Sequence, residues 1–522
     1  TRAVTASHCT PLKFDRGSRN SSLASLAGTL LQTGVPPDAL EGMLLEANST
    51  ICSPPLQERE VRTIAASISR YPVRNGFTLS DLGNAQRFAE LYHHDLIYVP
   101  ELNRWLRWVG THWRTVDGTE ILRCAFVVPN LIKAEALALQ NENQKLAKEL
   151  VEHSRRSEGR QRLEAMIKLA QPLLAIDANL LDSDPMLLPA ANGTVDLRTG
   201  FLREPQRSDY LTRCVDVEFD PNVQAPRWQT FLNEITNGDK ELEEFLQRAV
   251  GYMLTGDTRE QCLFVFYGHG ANGKSTFVEV VGALLGDYAL KTPMTTFVQP
   301  KMERSSNDLA RMRGARVVAA SEIGPDAALN VSLIKELTGQ DTITSRFLYG
   351  EFFQYRPQFK VVLTVNELPE ICGGCDEAIR RRLCVVPFTA TFMNETRDNT
   401  LAPKLMIELS GILAWAVQGN LRWQANGLQR PESVARATNA YLSQIDALGE
   451  FLGSATRPEK EARIPVRKFT DTFNRWLDAA GHEAISPKAI GGLMRKKGYT
   501  SAPSGGVRFY AGLTFVGSVG AV

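Results

Sequence analysis

The fold of this chain is decided by one stretch, Gly268-His269-Gly270-Ala271-Asn272-Gly273-Lys274-Ser275-Thr276. It fits the phosphate-loop (Walker A) pattern G-x-x-x-x-G-K-[ST], which is informative only between a strand and a helix. The preceding residues, 262–267, form a continuous apolar run that is typical of a buried parallel strand. The following residues carry apolar side chains at helical spacing up to Gly286. The sequence therefore predicts a strand, a glycine-rich loop and a helix.

In that geometry, backbone N–H groups and the helix N-terminus converge on one anion, so we expect a nucleotide-binding site. All nine residues, 268–276, are assigned to it. We expect Lys274 to reach the β- and γ-phosphates of ATP, and the Ser275 hydroxyl to bind Mg²⁺. The alternative is a chance match in an ordinary glycine turn, but the flanking strand and helix patterns argue against it.

The composition is that of a globular protein, with 522 residues of which 43% are hydrophobic and 22% charged. This length predicts about three or four domains. No apolar run is long enough to cross a bilayer, so no membrane partner is expected. The formal net charge is +1, so binding to nucleic acid requires local basic clusters. The chain begins at Thr1 rather than Met, and we therefore expect it to be a piece of a longer chain.

The eight cysteines are scattered along the chain, as is typical of a reducing cytosol. Cys372 and Cys375 have the spacing of metal ligands. A single C-x-x-C pair is a weak signal for zinc, because a structural zinc site needs four ligands.

Residues 1–75 are predicted to form a small helical domain, because apolar residues at helical spacing outline three helices between positions 17 and 72. Residues 76–225 are predicted to form a mixed α+β domain. Within it, Trp105, Trp108 and Trp113 are interpreted as the core of a small sheet. The alternative is that these tryptophans and the neighbouring arginines stack on nucleic-acid bases.

Two further apolar runs, 316–321 and 360–365, are each followed by a polar residue that suits ATP hydrolysis. After the first run, the Glu322 carboxylate is expected to hold Mg²⁺ through water and to polarise the attacking water. After the second run, the Asn366 amide is expected to sense the γ-phosphate and orient that water. Such residues are more often turn formers or caps. Here they follow predicted parallel strands in the expected order, at the edge where open α/β sheets bind ligands.

Residues 431–522 predict a separate module with the order helix, helix, hairpin, which is typical of a winged-helix domain. Four basic residues on its second helix are assigned to DNA: Lys488, Arg495, Lys496 and Lys497. The alternative is a solvated helix on a module that docks protein.

As an ordered set, these motifs resemble those of superfamily 3 helicases, and most closely those of the phage- and plasmid-encoded primase-helicases that include the poxvirus enzyme. The resemblance is carried by GHGANGKST at 268–276, by SE at 321–322 and by TVNELPEI at 364–371. It covers residues 190–390 closely. Residues 17–72 resemble, less closely, the helical module that follows the catalytic domain of phage and plasmid primases.

The resemblance implies an α/β fold with an AAA+-like ATPase core, containing a parallel sheet, over residues 226–430. It implies a ring, typically a hexamer, that translocates on single-stranded DNA and unwinds forked DNA during replication. It also implies a location in the cytoplasm, which is that of a bacterial host if a phage or plasmid encodes the chain. One departure concerns Ser321, which stands where many phosphate-loop ATPases place a metal-binding Asp.

The resemblance also assigns roles to two basic segments. In the run Arg380-Arg381-Arg382, Arg382 is chosen as an arginine finger that reaches the γ-phosphate of the neighbouring subunit, with Arg381 as the next choice. Segment 346–353 stands where the family has a DNA-binding hairpin, which assigns Arg346 and Tyr349 to DNA. This hairpin lacks the lysine or histidine often found at the tip, so a hairpin that only packs against a neighbouring subunit is the alternative.

The sequence therefore predicts an ATP-dependent replicative DNA helicase. The alternative is a nucleotide-dependent factor that binds or loads DNA without processive unwinding. Residues 1–75 contain no paired catalytic carboxylates with a partnering histidine. We therefore expect priming to be performed by a primase-polymerase upstream of this chain or on a separate chain.

Overall fold

The computed structural model describes residues 19–32, 35, 37–52, 54–68, 77–298, 307–321, 328–348, 351–371, 377–392, 398, 400–445, 447–479, 484–504 and 506–516. Within the chain, two compact units are distinguished. The first comprises Thr1–Asp196 and Phe201–Phe219, and the second comprises Leu197–Gly200 and Asp220–Val522. The change from the first unit to the second at residue 220 lies near the predicted domain boundary at 225/226.

The first unit contains helices and short antiparallel strands. Its helices are α1 (Arg19–Gln32), α2 (Pro37–Ile51), α3 (Glu58–Ile68), α4 (Asp81–Tyr92), α5 (Gly118–Ala125), α6 (Val127–Ala138), α7 (Gln144–Ser157) and α8 (Arg160–Ala170). Its strands are β1 (Leu96–Val99), β2 (Arg104–Trp108), β3 (Trp113–Val116), β4 (Leu187–Ala190), β5 (Gly193–Asp196) and β6 (Phe201–Arg203). They form two three-stranded sheets in the orders β1-β2-β3 and β4-β5-β6.

Helices α1 to α3 share one hydrophobic core with the helices that follow them. Leu23, Leu26 and Leu30 on α1 are buried, as their spacing predicts, in a core that extends to α8. The Ser22 hydroxyl donates to a carboxylate oxygen of Asp95, 2.5 Å away, and so ties α1 to the start of the first sheet. The predicted division at residue 75 therefore does not coincide with a division between cores.

The three tryptophans of the first sheet are core residues. Trp105, Trp108 and Trp113 are all buried, and Trp108 packs edge-on against Trp113. The indole N–H of Trp113 donates to the carbonyl of Arg207, 2.9 Å away. The interpretation of these residues as a sheet core is confirmed, and base stacking is wrong for them because their rings are not accessible.

The second unit contains the phosphate-loop stretch. Its helices are α9 (Pro226–Ile235), α10 (Lys240–Met253), α11 (Lys274–Leu285), α12 (Asn307–Arg311), α13 (Val331–Thr338), α14 (Glu377–Arg380), α15 (Leu401–Ile407), α16 (Leu409–Asn426), α17 (Glu432–Ile445), α18 (Ala447–Ala455), α19 (Val466–Ala479) and α20 (Pro487–Lys496). Its strands are β7 (Leu263–Tyr267), β8 (Ala289–Lys291), β9 (Val317–Ser321), β10 (Ala328–Leu329), β11 (Ile343–Arg346), β12 (Phe352–Tyr355), β13 (Lys360–Val365), β14 (Glu370–Ile371), β15 (Leu383–Pro387), β16 (Thr456–Pro465), β17 (Ser501–Ser504) and β18 (Val507–Phe515).

A five-stranded parallel sheet lies at the centre of this unit, in the order β15-β7-β13-β9-β8. Its central strands are almost wholly buried, which explains why each reads as a continuous apolar run. In register, Tyr267 pairs with Val365 and with Pro387, and Thr364 pairs with Ser321. The carboxyl ends of β7, β9, β13 and β15 therefore meet at one edge of the sheet. The predicted α/β fold with a parallel sheet is confirmed.

Helix α17 belongs with this sheet rather than with the C-terminal module. Its Tyr441 and Leu442 lie in the core of the sheet, and its Thr438 hydroxyl accepts a hydrogen bond from the β15 amide of Val385 at 3.0 Å. The next core begins at Ala447 and contains Phe451 and Phe469. Its elements include α19, α20 and the hairpin β17–β18, in the predicted order, and β16 adds a third strand in the order β16-β18-β17.

Candidate phosphate-binding site

The loop between β7 and α11 has the backbone that its glycines predict. Gly273, the residue before α11, has a φ of +83°, in the left-handed region that favours glycine. A Cβ atom at Gly268 would lie 2.3 Å from the carbonyl oxygen of Phe388, so no side chain fits there. His269, Gly270, Ala271 and Ser275 are exposed, so one face of the loop is open to solvent.

Lys274 begins α11, and its side chain lies inside the loop rather than in solvent. It is 3% exposed, and its Nζ donates to the carbonyl of Gly268, to Asn272 Oδ1 at 3.2 Å and to Asn366 Oδ1 at 3.2 Å. Burial lowers the pKa of its ammonium. All three of these acceptors are neutral oxygens, so none of them cancels the positive charge that an anion would meet.

The parallel sheet brings Asn366 to Lys274. Asn366 directly follows β13, and β13 pairs with β7 so that Val365 is level with Tyr267. The side chain of Asn366 therefore reaches the loop that directly follows Tyr267. Two residues that were predicted from separate strands, Lys274 and Asn366, are within hydrogen-bond distance.

Of the two predicted metal ligands, Ser275 and Glu322, the structure describes only Ser275. Ser275 is the second residue of α11, and its side chain is exposed at the helix N-terminus. Ser321 ends β9 at the same edge of the sheet, whereas Glu322 lies outside the described residues. Among the residues that the structure describes, no group of three or more His, Cys, Asp or Glu side chains is arranged to hold a metal ion. Cys372 and Cys375 are outside that part of the chain.

Arg382, the residue chosen as the arginine finger, is buried within its own subunit. Its side chain is 7% exposed, with Nε donating to Thr338 Oγ1 at 3.1 Å and Nη1 to the carbonyl of Ala378 at 2.8 Å. These bonds hold the guanidinium within its own subunit. Arg381 is exposed, while its backbone is held by α14 and by Arg430. The sequence does not show which of the two arginines is exposed, because adjacent residues of the same type follow the same pattern. Only the packing before β15 distinguishes Arg381 from Arg382.

The predicted DNA-binding residues lie on two separate exposed elements. Arg346 ends β11, and its guanidinium lies 4.8 Å from the ring centre of Phe352, which is 63% exposed on β12. Tyr349 lies outside the described residues. Lys488, Arg495 and Lys497 are exposed on or just after α20, and the side chain of Lys496 is not described. The hairpin β11–β12 and the basic α20 are both present where the sequence predicts them.

The sequence patterns do not indicate the role of the segment 388–392, which follows β15 and contacts the loop. The Phe388 amide donates to the carbonyl of Tyr267 at 2.7 Å, and the Phe392 amide donates to the carbonyl of Ala271 at 2.8 Å. Backbone contacts of this kind leave no mark in a single sequence. A cavity of about 380 Å³ lies elsewhere on α11, against residues such as Val281 and Gly282, and Lys274 does not line it.

Among the described residues, no helix combines the length and the apolar character that crossing a bilayer requires.

Three family models match the chain in order. Primase C terminal 1 matches residues 10–74, the D5 N terminal like family matches 85–237, and a family of unknown function matches 266–382. Together they cover more than half of the chain.

Viral proteins are among the relatives of this chain. "Putative helicase L207/L206" of Acanthamoeba polyphaga mimivirus is 30% identical over 54% of this chain and 32% of that protein. "Putative helicase 184R" of Invertebrate iridescent virus 6 is 29% identical over 60% and 37%, and "Primase D5" of Fowlpox virus (strain NVSL) is 26% identical over 42% and 29%. The chain thus spans about a third of the length of these relatives.

The apo structure of the NrS-1 C terminal region has a TM-score of 0.45 and 8% identity to this chain, over 80% of this chain and 96% of that one. The three matching models and the viral relatives support a primase-helicase family of the superfamily 3 type for this chain.

Proposed function

We propose that this chain is an ATP-dependent DNA helicase that couples ATP hydrolysis to movement along single-stranded DNA and to the unwinding of duplex DNA. One observation carries the proposal: the Lys274 ammonium and the Asn366 amide meet at the carboxyl edge of a parallel sheet, beside an open glycine loop. In open α/β sheets this edge is where ligands bind. The names of the viral relatives agree with a helicase.

Each residue of the site has a chemical role in this proposal. The loop 268–273 and the N-terminus of α11 bind the phosphates of ATP through backbone N–H groups, and Lys274 binds the β- and γ-phosphates. Ser275 and Glu322 hold Mg²⁺, which when bound neutralises charge on the phosphate oxygens. Asn366 orients the attacking water, and Glu322 polarises it.

We propose that residues 226–430 form an AAA+-like core and that the chain assembles as a ring, typically a hexamer. The arginine finger of this ring is Arg381 rather than Arg382, because the Arg382 guanidinium is already bonded to Thr338 and Ala378. An exposed arginine suits the role since its planar, permanently charged group matches phosphate oxygens.

The proposed DNA contacts lie on the hairpin β11–β12 and on α20. Arg346 supplies a phosphate contact beside the exposed ring of Phe352. Tyr349 is proposed to stack on a base. Lys488, Arg495, Lys496 and Lys497 supply phosphate contacts from the winged-helix-like module. The chain works in the cytoplasm with a primase-polymerase that is on the same polypeptide or on a separate one.

The test is displacement of an annealed strand from forked DNA by the purified chain. We expect displacement that requires ATP and Mg²⁺ and is lost in Lys274→Ala. A chain that hydrolyses ATP in the presence of DNA and displaces no strand would support the alternative function, a factor that loads or positions DNA.

A further inference from the structure

Asn272, within the phosphate-loop stretch, both donates and accepts hydrogen bonds through its side-chain amide. It is 3% exposed. Its Nδ2 donates to the carbonyl of His269 at 2.5 Å and to the carbonyl of Phe388 at 3.2 Å. Its Oδ1 accepts from the backbone amide of Lys274 at 3.4 Å and from Lys274 Nζ at 3.2 Å. Both donors and the acceptor of one amide are thus engaged.

The contact between Asn272 and Lys274 has a consequence for ligand binding. An ammonium has three donors, and those of Lys274 point to Gly268, Asn272 and Asn366. A phosphate that binds this ammonium must replace at least one of these acceptors. Asn272 Oδ1 is therefore one of the three oxygens that compete with a phosphate oxygen for Lys274.

The contact between Asn272 and Phe388 fixes the segment 388–392 against the loop. That segment is also held by the bond from the Phe392 amide to the Ala271 carbonyl, at 2.8 Å. The Asn272 side chain is thus bonded both to the cation of the loop and to the chain that leaves β15. A change in the bond to Lys274 moves the same planar amide that donates to Phe388.

We propose that Asn272 is a positioning residue that couples occupation of the phosphate site to the segment 388–392. While no phosphate is bound, it holds the Lys274 ammonium in place and fixes the segment. When a phosphate displaces Asn272 Oδ1 from the Lys274 ammonium, the amide shifts, and its hydrogen bond to the carbonyl of Phe388 changes as a result. This inference rests on the proposed nucleotide site and adds to it a structural change in the segment 388–392.

The test combines nucleotide affinity with amide hydrogen exchange. Asn272→Asp keeps the shape of the side chain, removes both N–H donors, and places a carboxylate beside Lys274, where it repels phosphate. We expect a non-hydrolysable ATP analogue to bind about tenfold more weakly or worse, since bonds to a charged group are disrupted. We also expect faster exchange of amides 388–392 in the variant without nucleotide. In the unsubstituted chain, the analogue itself changes exchange at 388–392.

Thr389→Val is the matched control. It removes the hydroxyl that accepts from Asn237 Nδ2 at 3.0 Å, and so loosens the same segment without touching Lys274. We expect it to leave the affinity for the analogue unchanged. Equal loss of affinity in this control and in Asn272→Asp would assign Asn272 a structural role only.

Two outcomes overturn the inference while leaving the proposed function intact. One is normal affinity in Asn272→Asp, and the other is exchange at 388–392 that does not respond to the analogue in the unsubstituted chain. If Asn272→Asp does not fold, Asn272→Ala decides through exchange, because it removes the bond to Phe388 without burying a charge. Failure of the unsubstituted chain to bind ATP at all would instead contradict the proposed function.

Discussion

The ammonium of Lys274 lies 3.2 Å from the side-chain oxygen of Asn366, although the two residues are 92 positions apart in the chain. The parallel pairing of β7 with β13 brings them together, because it aligns the two strand ends. The roles proposed for the two residues, phosphate binding and water orientation, both require a position beside one terminal phosphate. This relationship leads to the first prediction.

Asn366→Ala is expected to slow ATP hydrolysis more than it weakens ATP binding. Lys274 keeps its acceptors on Gly268 and Asn272, so the Kd of a non-hydrolysable analogue changes little. Without the amide that orients water, kcat falls by about 100-fold or more, as for the removal of other preorganised polar groups. Asn222→Ala, at an exposed asparagine in the same unit, is the control. An unchanged kcat in Asn366→Ala would remove this residue from the mechanism.

Arg381→Ala and Arg382→Ala are expected to fail in different ways. Arg381→Ala binds ATP normally and hydrolyses it about 10³- to 10⁵-fold more slowly, the range measured for arginine fingers. Arg382→Ala loses its bonds to Thr338 and Ala378, so the midpoint of thermal unfolding falls.

Mixing subunits tests whether Arg381 acts on a neighbour. Rings that contain both Arg381→Ala and Lys274→Ala subunits regain some hydrolysis, since an intact arginine then faces an intact loop at some interfaces. Full hydrolysis by Arg381→Ala alone, or no recovery in rings shown to be mixed, contradicts the assignment.

The basic residues of α20 are expected to contribute to the salt dependence of DNA binding. Replacing Lys488, Arg495 and Lys497 with alanine reduces the slope of log K against log[salt] by about 0.7 to 0.9 for each DNA phosphate that is no longer neutralised. A matched control replaces three exposed lysines of the first unit, Lys145, Lys148 and Lys168. An unchanged slope in the α20 variant means that the module docks protein instead.

Lys360 is expected to make stability depend on pH. Its amino group is buried at the start of β13 and donates to the carbonyls of Thr255 and Asp257. Burial, followed by the charge of Arg316, lowers the pKa of Lys360 well below the usual value. The unfolded chain thus binds a proton that the folded chain lacks, over the interval between the lowered pKa and about 10.4. In that interval the free energy of unfolding contributed by Lys360 rises with pH.

The measurement is chemical unfolding across the alkaline range. Up to about pH 10, the slope of unfolding free energy against pH is steeper in the unsubstituted chain than in Lys360→Met, by at most about 1.4 kcal/mol per pH unit. Lys291→Met, at an exposed lysine on the edge strand β8, leaves the slope unchanged. Equal slopes in Lys360→Met and the unsubstituted chain contradict a neutral Lys360 in the folded state.

The sequence predicted the centre of the second unit because buried parallel strands leave a strong mark. The run before Gly268 is wholly apolar and the run before Asn366 is mostly apolar, and Asn366 lies at the edge where the strand ends meet. The glycines of the loop were equally readable, since Gly268 and Gly273 meet steric conditions that a side chain would violate.

Other features left no local mark. The core shared by α1 and α8 depends on contacts between distant segments, which a single sequence does not show. Strand β16 contains the charged run Glu459-Lys460-Glu461, which lacks the alternation of a strand. Arg381 and Arg382 are adjacent residues of the same type, and they differ in that Arg381 is exposed and Arg382 is buried. Asn272 stands at one of the unspecified positions of the phosphate-loop pattern. Each of these features depends on the packing around the residue, which the sequence alone does not show.

We propose that Lys274 and the loop around it drive ATP hydrolysis that DNA stimulates. The most direct measurement is steady-state ATP hydrolysis by the chain and by Lys274→Ala, with and without single-stranded DNA, with Lys291→Ala as the exposed-lysine control. We expect hydrolysis that rises with DNA in the unsubstituted chain and in Lys291→Ala, and that falls to background in Lys274→Ala while its folding is retained. Hydrolysis by folded Lys274→Ala at the rate of the unsubstituted chain would contradict the role proposed for Lys274.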